Sequence, residues 1–174
     1  MDNKKLLTNV YDFASMIVTA ILIVGVIFTF FFKISTVSGK SMENTLQNGD
    51  QLLINAIPGD IEIGDVVVVS QPNGYEKILI KRVIAVGGQT IEFDAVKKCV
   101  LVDGRIIDEP YIKEKMDFTF LHGKEYVVPE GQLFLMGDNR NFSADSRDVR
   151  IGMVDEKYVI GKVFYRIGDK ALFN

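Results

Sequence analysis

Three separated segments of this 174-residue chain carry the residue types that acyl transfer needs. Ser41 stands in Ser41-Met42-Glu43-Asn44-Thr45-Leu46, and Lys81 stands in Lys81-Arg82-Val83-Ile84. The third segment is Gly137-Asp138-Asn139-Arg140-Asn141-Phe142-Ser143-Ala144-Asp145-Ser146-Arg147. A serine hydroxyl becomes a nucleophile only when a base takes its proton, and a lysine held neutral can be that base. Ser41 also follows closely on an apolar run of membrane length. The residues therefore predict a Ser/Lys hydrolase working at a membrane surface.

Each segment also has an ordinary structural use. Gly39, two positions before Ser41, permits close approach of backbone and substrate, and N–H groups around the serine could hold an oxyanion. Equally, Ser41 could cap a turn over residues 42–46. The hexapeptide alone leaves both open. By strand alternation Lys81 shares a face with Leu79 and Val83, and Arg82 shares one with Ile78, Ile80 and Ile84. If that strand is covered on both faces, at least one cation is dry, and burial lowers a lysine pKa. Arginine stays charged, so of the two only Lys81 could be a base. An edge strand with both heads in water is the alternative, and alternation does not choose. Residues 137–147 read first as a solvated loop after the apolar Leu133–Met136. Yet Asp145 and Arg147 could pair there, Ser143 could hydrogen-bond a neutral lysine, and a charged loop ending a core strand is a common place for function.

Composition narrows the classes. A net charge of −3 offers nothing to nucleic acid. Cys99 is the sole cysteine, which excludes an internal disulfide and a cysteine metal cluster; it reads as a small buried apolar side chain. His122 is the sole histidine, so a multi-histidine metal site is excluded, and a Ser-His-Asp triad would have to use it. It reads as a loop residue.

The elements that must position these groups follow. Phe13 to Phe32 is twenty residues without a charge, the ~20 needed to cross a hydrocarbon core. Ser15, Thr19 and Thr29 can bond to their own helix backbone. A buried soluble helix is rarely apolar all round at this length, and a cleaved leader would be shorter and end in small residues rather than Phe30-Phe31-Phe32-Lys33. An uncleaved anchor is predicted. Lys4 and Lys5 before it and Lys33 and Lys40 after it nearly balance, so flanking charge leaves orientation open. Beyond Lys33 come short β-rich runs: Gln51–Ile54, Asp65–Val69, Glu76–Val86, Gln132–Met136 and Lys157–Ile167. Gly87-Gly88 leading into Gln89–Phe93 predicts a hairpin, and Asp103-Gly104 between Cys99–Val102 and Arg105–Ile107 predicts another. Pro129-Glu130-Gly131 reads as a turn. These imply a mainly β, antiparallel sandwich or barrel-like body, with residues 94–130 as a small inserted lobe.

Together the segments resemble the bacterial type I signal peptidases, membrane-anchored Ser/Lys endopeptidases. The family motif Ser-Met-x-Pro-Thr-Leu appears at Ser41–Leu46, Gly-Asp-x-Val at Gly64–Val67 with Pro72 beyond, Lys-Arg-Val at Lys81–Val83, and the last motif is complete from Gly137 to Arg147. The departure is Asn44 in place of the motif proline, which leaves the backbone freer. Gly39 stands where some relatives place a serine. The short lobe is similar to that of the smaller Gram-positive members. The resemblance implies a signal-peptidase/LexA-like antiparallel β body with a small inserted β lobe behind one N-terminal transmembrane helix. It implies a cytoplasmic segment 1–12, a transmembrane helix 13–32 and an extracytoplasmic catalytic domain 33–174, in a plasma membrane crossed once. Ser41 would be the nucleophile, with its N–H as the oxyanion donor, and Lys81 the general base. Ser143 would orient Lys81, Asp145 and Arg147 would form a supporting ion pair, Asp138 would brace the loop, and Met42 would line the substrate pocket. The implied reaction cuts exported preproteins after an Ala-x-Ala-like site through an acyl-enzyme, with no metal or cofactor. Partners would be signal peptides, membrane lipid and the export machinery, and no nucleic acid. Two other classes remain at this point: a self-cleaving repressor-type peptidase, whose DNA-binding module is replaced here by a membrane helix, and a catalytically silent or narrow-substrate relative acting in secretion or pilus assembly.

Overall fold

The apolar run folds as helix α1 (Asn3–Phe31) in a computed structural model that describes residues 3–70, 75–117, 121, 124–168 and 171–172. Pro72 and His122 lie outside the described residues. The stretch Leu7–Phe31 is long and apolar enough to cross a membrane, and none of it is buried against the body. Its 25 residues span roughly 37 Å at the helical rise, against a hydrocarbon core of about 30 Å. Two hydroxyls are satisfied within the helix: Ser15 Oγ donates to the Asp12 carbonyl (2.9 Å) and Thr29 Oγ1 to that of Gly25 (2.8 Å).

The helix passes directly into strand β1 (Phe32–Thr36), so the connection to Ser41 is largely strand. Then follow β2 (Gln51–Asn55), β3 (Val66–Ser70), β4 (Ile78–Val86), β5 (Thr90–Asp94), β6 (Cys99–Val102), β7 (Arg105–Ile106) and β8 (Glu125–Val127). The chain closes with β9 (Gln132–Met136), β10 (Val154–Asp155), β11 (Val159–Ile167) and β12 (Ala171–Leu172). The main sheet runs β1-β2-β11-β3-β4-β9-β10, with β12 on β11, through antiparallel pairs. Its central strands β3 and β4 are rich in β-branched residues because both faces are covered. In β3, Val66 and Val68 pack with Leu52 and Ile54, while Val67 and Val69 pack with Leu79, Val83 and Leu133.

A second sheet, β7-β6-β5-β8, is inserted between the paired strands β4 and β9. Ile91, Phe93, Val100 and Val102 of this sheet share a core with Ile84, Phe134 and Met136 of the main one. The β6–β7 hairpin is as expected: Asp103 and Gly104 both take positive φ (50° and 72°), which a tight two-residue hairpin turn requires. The hairpin expected at Gly87-Gly88 is absent. Both edges of β4 are occupied, by β3 and β9, so no edge is open to Gln89–Phe93. That segment pairs instead with β6 and β8, and the turn carries the chain from one sheet to the other. Cys99 is half-buried rather than buried, at the start of β6.

Candidate active site

Strand register brings the separated segments together. Lys81 pairs with Val67 of β3, and Arg82 pairs with Met136 of β9. The same antiparallel register carried one step on sets Gly137 beside Lys81. With a neighbour on each side, β4 is no edge strand, and Lys81 and Arg82 are only 3% and 8% exposed. Ser41 arrives on the loop after β1. There a turn closes from the Leu46 N–H to the Met42 carbonyl (2.8 Å), and both side chains are sunk among Leu52, Ile54 and Val163.

Lys81 Nζ lies 2.7 Å from Ser41 Oγ and also donates to the Ile80 carbonyl (3.0 Å). The Ser41 hydroxyl is thus engaged by a lysine. Burial pushes Lys81 down from the usual lysine range to about 8; Asp145 and Asp138 pull it back up, and Arg147 pushes it down. The Ser41 backbone is clamped too: its carbonyl accepts from the Asn139 N–H (2.9 Å), and Asn139 Nδ2 donates to the Lys40 carbonyl (3.0 Å).

Gly137 is where the third segment meets the first. A Cβ there would overlap Ser143 Oγ, Ser143 Cβ and the Ser41 carbonyl oxygen, so only glycine admits the approach. Gly137 therefore sits between the Ser143 side chain and the nucleophile's carbonyl. Its Oγ is buried without a hydrogen-bond partner, and the Lys81 amine bonds Ser41 and Ile80 instead.

Around this contact the charges are buried in pairs. Asp138, fully buried, accepts from Arg82 Nε (2.9 Å) and Nη2 (2.7 Å), a bidentate pair, and from the Thr45 hydroxyl. Arg82 Nη1 donates to the Gly64 carbonyl, which ties in the Gly64-Asp65 motif. Asp145 accepts from Arg147 Nε and Nη2 (both 2.7 Å) and from the Gly137 N–H (3.0 Å). Ser146 caps the strand end, its Oγ accepting from the Leu135 N–H (2.9 Å).

Sequence reasoning missed the residues that cover this loop from the inserted lobe. Arg140 is bound bidentately by Glu109, Tyr111 lies 3.9 Å under the Arg82 guanidinium, and Met116 touches Arg147. The signal lies in burial and not in a count of the motif sequences, which also hold Glu43 and Asp65. The motif segments supply three arginines, Arg82, Arg140 and Arg147, but only two of the buried carboxylates, Asp138 and Asp145. A third buried cation requires a carboxylate from elsewhere.

A groove of about 510 Å³ opens on the dyad. Ser35 to Ser38 form one wall, Lys77 to Ile80 form the other, and Ser41, Met42 and Lys81 lie at its end. Among the described residues no group of three or more His, Cys, Asp or Glu side chains is placed to hold a metal ion. The arrangement holds a hydroxyl against a largely desolvated amine beside an extended cleft, which suits acyl transfer from a peptide.

Residues 10–167 match the family model described as signal peptidase, peptidase S26. The chain is 34% identical to signal peptidase I P of Bacillus subtilis subsp. natto over 171 residues, covering 91% of this chain and 89% of that protein. It is 31% identical to signal peptidase IB of Staphylococcus aureus over 168 residues, covering 86% of this chain and 85% of that protein. A crystal structure of a signal peptidase I from Enterococcus faecalis aligns with a TM-score of 0.48 at 23% identity, covering 60% of this chain and 97% of that one.

Proposed function

We propose that Ser41 is the nucleophile and Lys81 the general base of this chain, which belongs to the signal peptidase family, peptidase S26, and is a serine peptidase that removes signal peptides. The observation that carries the assignment is the 2.7 Å contact between Lys81 Nζ and Ser41 Oγ in a site dry enough to lower the amine's pKa. Neutral Lys81 accepts the Ser41 proton as Oγ attacks the carbonyl at the end of the signal peptide. The oxyanion forms against the Ser41 N–H, and the Lys81 ammonium then protonates the leaving amine. Lys81, neutral again, takes a proton from water as the water oxygen attacks the acyl carbon, and returns it to Ser41 Oγ as the ester bond breaks and the acyl group leaves as an acid. Ser143 orients the amine once substrate is bound, the Asp145–Arg147 pair holds Gly137 in place, and Asp138 braces Arg82 beneath the same loop.

The groove between residues 35–38 and 77–80 takes the Ala-x-Ala-like tail of the signal peptide in extended form, with Met42 among its lining residues. The segment before Leu7 is the cytoplasmic end, Leu7–Phe31 the membrane span, and the chain from Phe32 the extracytoplasmic catalytic domain; the lobe expected at 94–130 begins earlier, at Thr90, because β5 belongs to its sheet. The chain crosses the plasma membrane once, and lipid and the export machinery are its neighbours. Support comes from the direct passage of α1 into β1. Ser41 lies ten residues past Phe31, a reach of at most about 35 Å from the membrane end of the helix. Protease added outside spheroplasts is expected to digest the body; full protection would reverse the orientation.

The pH profile tests the base directly. Lys81 must be neutral to act, and its amine titrates near 8, so activity is present above that pH and falls as pH drops. At pH 7 roughly a tenth of the enzyme is competent, and each further unit down costs about tenfold. Cleavage of a preprotein with an Ala-x-Ala site, measured as kcat/KM from pH 5 to pH 9, should show that limb. A flat profile between pH 5 and 7 would remove Lys81 from the role.

Gly137→Ala offers a test that leaves every titrating group in place. The added methyl meets the Ser41 carbonyl and the Ser143 side chain; Ser143 Oγ can rotate away, but the carbonyl and Ser143 Cβ cannot, so the loop must withdraw. Overpacking of this kind costs about 1–3 kcal/mol, and a shift of about 1 Å at the reacting atoms costs on the order of a hundredfold in kcat. Thermal melting and cleavage kinetics together check it. Parent kcat in the variant would mean that the close packing of Gly137 against the nucleophile's carbonyl is not needed.

A further inference from the structure

The segment Glu109–Asp117 of the inserted lobe crosses the catalytic loop and touches Arg140 and Arg147 of that loop and Arg82 of β4 beside it. Tyr111 lies under Arg82, Glu109 holds Arg140, and the Met116 sulfur meets Arg147. The strap is stitched to the loop elsewhere as well. The Lys113 N–H donates to the Asp138 carbonyl (3.1 Å), and Asn141 Nδ2 donates to Glu114 (3.0 Å) while its Oδ1 accepts from the Asp117 N–H (3.0 Å). A surface cover would make exposed contacts that contribute little. Here the Arg140 and Glu109 side chains are 1% and 7% exposed.

One line of contacts runs from the strap to the reacting atoms. Glu109 fixes the Arg140 guanidinium through two bonds, and Arg140 Nε donates to the Gly137 carbonyl (3.1 Å). The Gly137 N–H is held on its other side by Asp145 (3.0 Å). Gly137 in turn presses on the Ser41 carbonyl and on Ser143, with no room for a methyl group. Its peptide is thus gripped at both ends, and one grip depends on a carboxylate outside the four motifs. We propose that Glu109 is a positioning residue for signal-peptide cleavage, acting through Arg140 and Gly137 to hold Ser41 and Ser143 in register with Lys81. The inference rests on the Ser41/Lys81 assignment. It gives the lobe a part in the chemistry: residues brought in by the lobe complete the loop's charge balance and set its height over the nucleophile.

The groove itself is lined by residues 35–38, 41–42 and 77–81, and the strap takes no part in it. Loss of Glu109 should therefore lower kcat and spare KM. The charges that act on Lys81 are Asp145, Asp138 and Arg147, so the limb of the pH profile should also stay in place. A strap that merely shields the loop would behave differently. Loosening it would admit water to Lys81, return the amine towards its solvated value and move the limb to higher pH.

The experiment compares full-length parent, Ser41→Ala and Glu109→Gln in detergent, on one preprotein with an Ala-x-Ala site, across pH 5 to 9. Glu109→Gln is expected to lose roughly ten- to a hundredfold in kcat, with KM within about twofold of the parent and the limb unmoved. A kcat within about twofold of the parent, or a lowered rate with a raised KM or a limb moved to higher pH, overturns the proposal. Should Glu109→Gln fail to fold, Glu109→Asp carries the same test, because it keeps the charge but draws it back from Arg140. Ser41→Ala separates the two ideas: activity retained there refutes the dyad and this inference with it. Activity lost there while Glu109→Gln matches the parent refutes the inference alone.

Discussion

Lys81→Met is expected to abolish measurable cleavage, a loss of at least ~10³-fold in kcat, while the protein folds as before. Methionine has nearly the length of lysine and no proton-accepting amine. The Lys81 side chain is buried, and that burial disfavours its charged form; an apolar replacement removes the cost and leaves no void. The melting temperature should therefore hold or rise as activity disappears. Ser41→Ala should give a comparable loss for the complementary reason, because Lys81 Nζ then faces a methyl group where Oγ stood 2.7 Å away. The double variant is the sharper measurement. Two groups that act as one unit are lost together when either is removed, so the double variant should be no slower than the worse single one. Losses that multiply would show that serine and lysine serve different steps. Retention of a tenth or more of the parent rate by Lys81→Met would place the base elsewhere.

Asp138→Ala should produce the largest loss of stability. The carboxylate is fully buried, bound bidentately by Arg82 and bonded by the Thr45 hydroxyl. Removing it strands a guanidinium that is itself buried and cannot give up its proton. Breaking a buried pair in this way costs about 3–5 kcal/mol, whatever the intact pair contributes net. For a chain of this size that is roughly 6–20 °C in melting temperature. Asp138→Asn should fall nearly as far: an amide keeps the shape and one acceptor but leaves the charge uncompensated. Melting curves in one detergent, with the parent and Lys81→Met alongside, decide the matter. A shift under about 2 °C would mean that Arg82 finds another acceptor or reaches water.

These two side chains both lie within the motifs yet depend on structure in different ways. Ser41, Lys81 and Asp138 stand out by type, a serine two residues after a glycine, a lysine in an apolar strand and an acid near the start of a charged loop, and each also has an ordinary structural reading. What β-branched runs could not say is which strands pair. Val66–Val69 declares a buried strand from composition, since valine on both faces has no polar side to offer water. Gln89–Phe93 alternates like a hairpin partner for Glu76–Val86, but β3 and β9 already fill both edges of that strand. Edge occupancy is a property of the whole sheet, and local spacing carries no trace of it.

The same division runs through the site. By itself the sequence determined the membrane-length apolar helix, the mainly β body, and the four short motifs with the reactive residue types in them. Those properties are local, set by hydropathy, period and side-chain chemistry within a few residues. Only the tertiary structure decided that Lys81 is dry and meets Ser41, because burial depends on β4 lying inside the sheet and on a loop forty residues earlier folding back over it. It alone decided that Arg140 is neutralised by Glu109, thirty-one residues away in an inserted lobe. A buried cation must find a counter-charge, and the chain supplies it from wherever the fold brings one within reach.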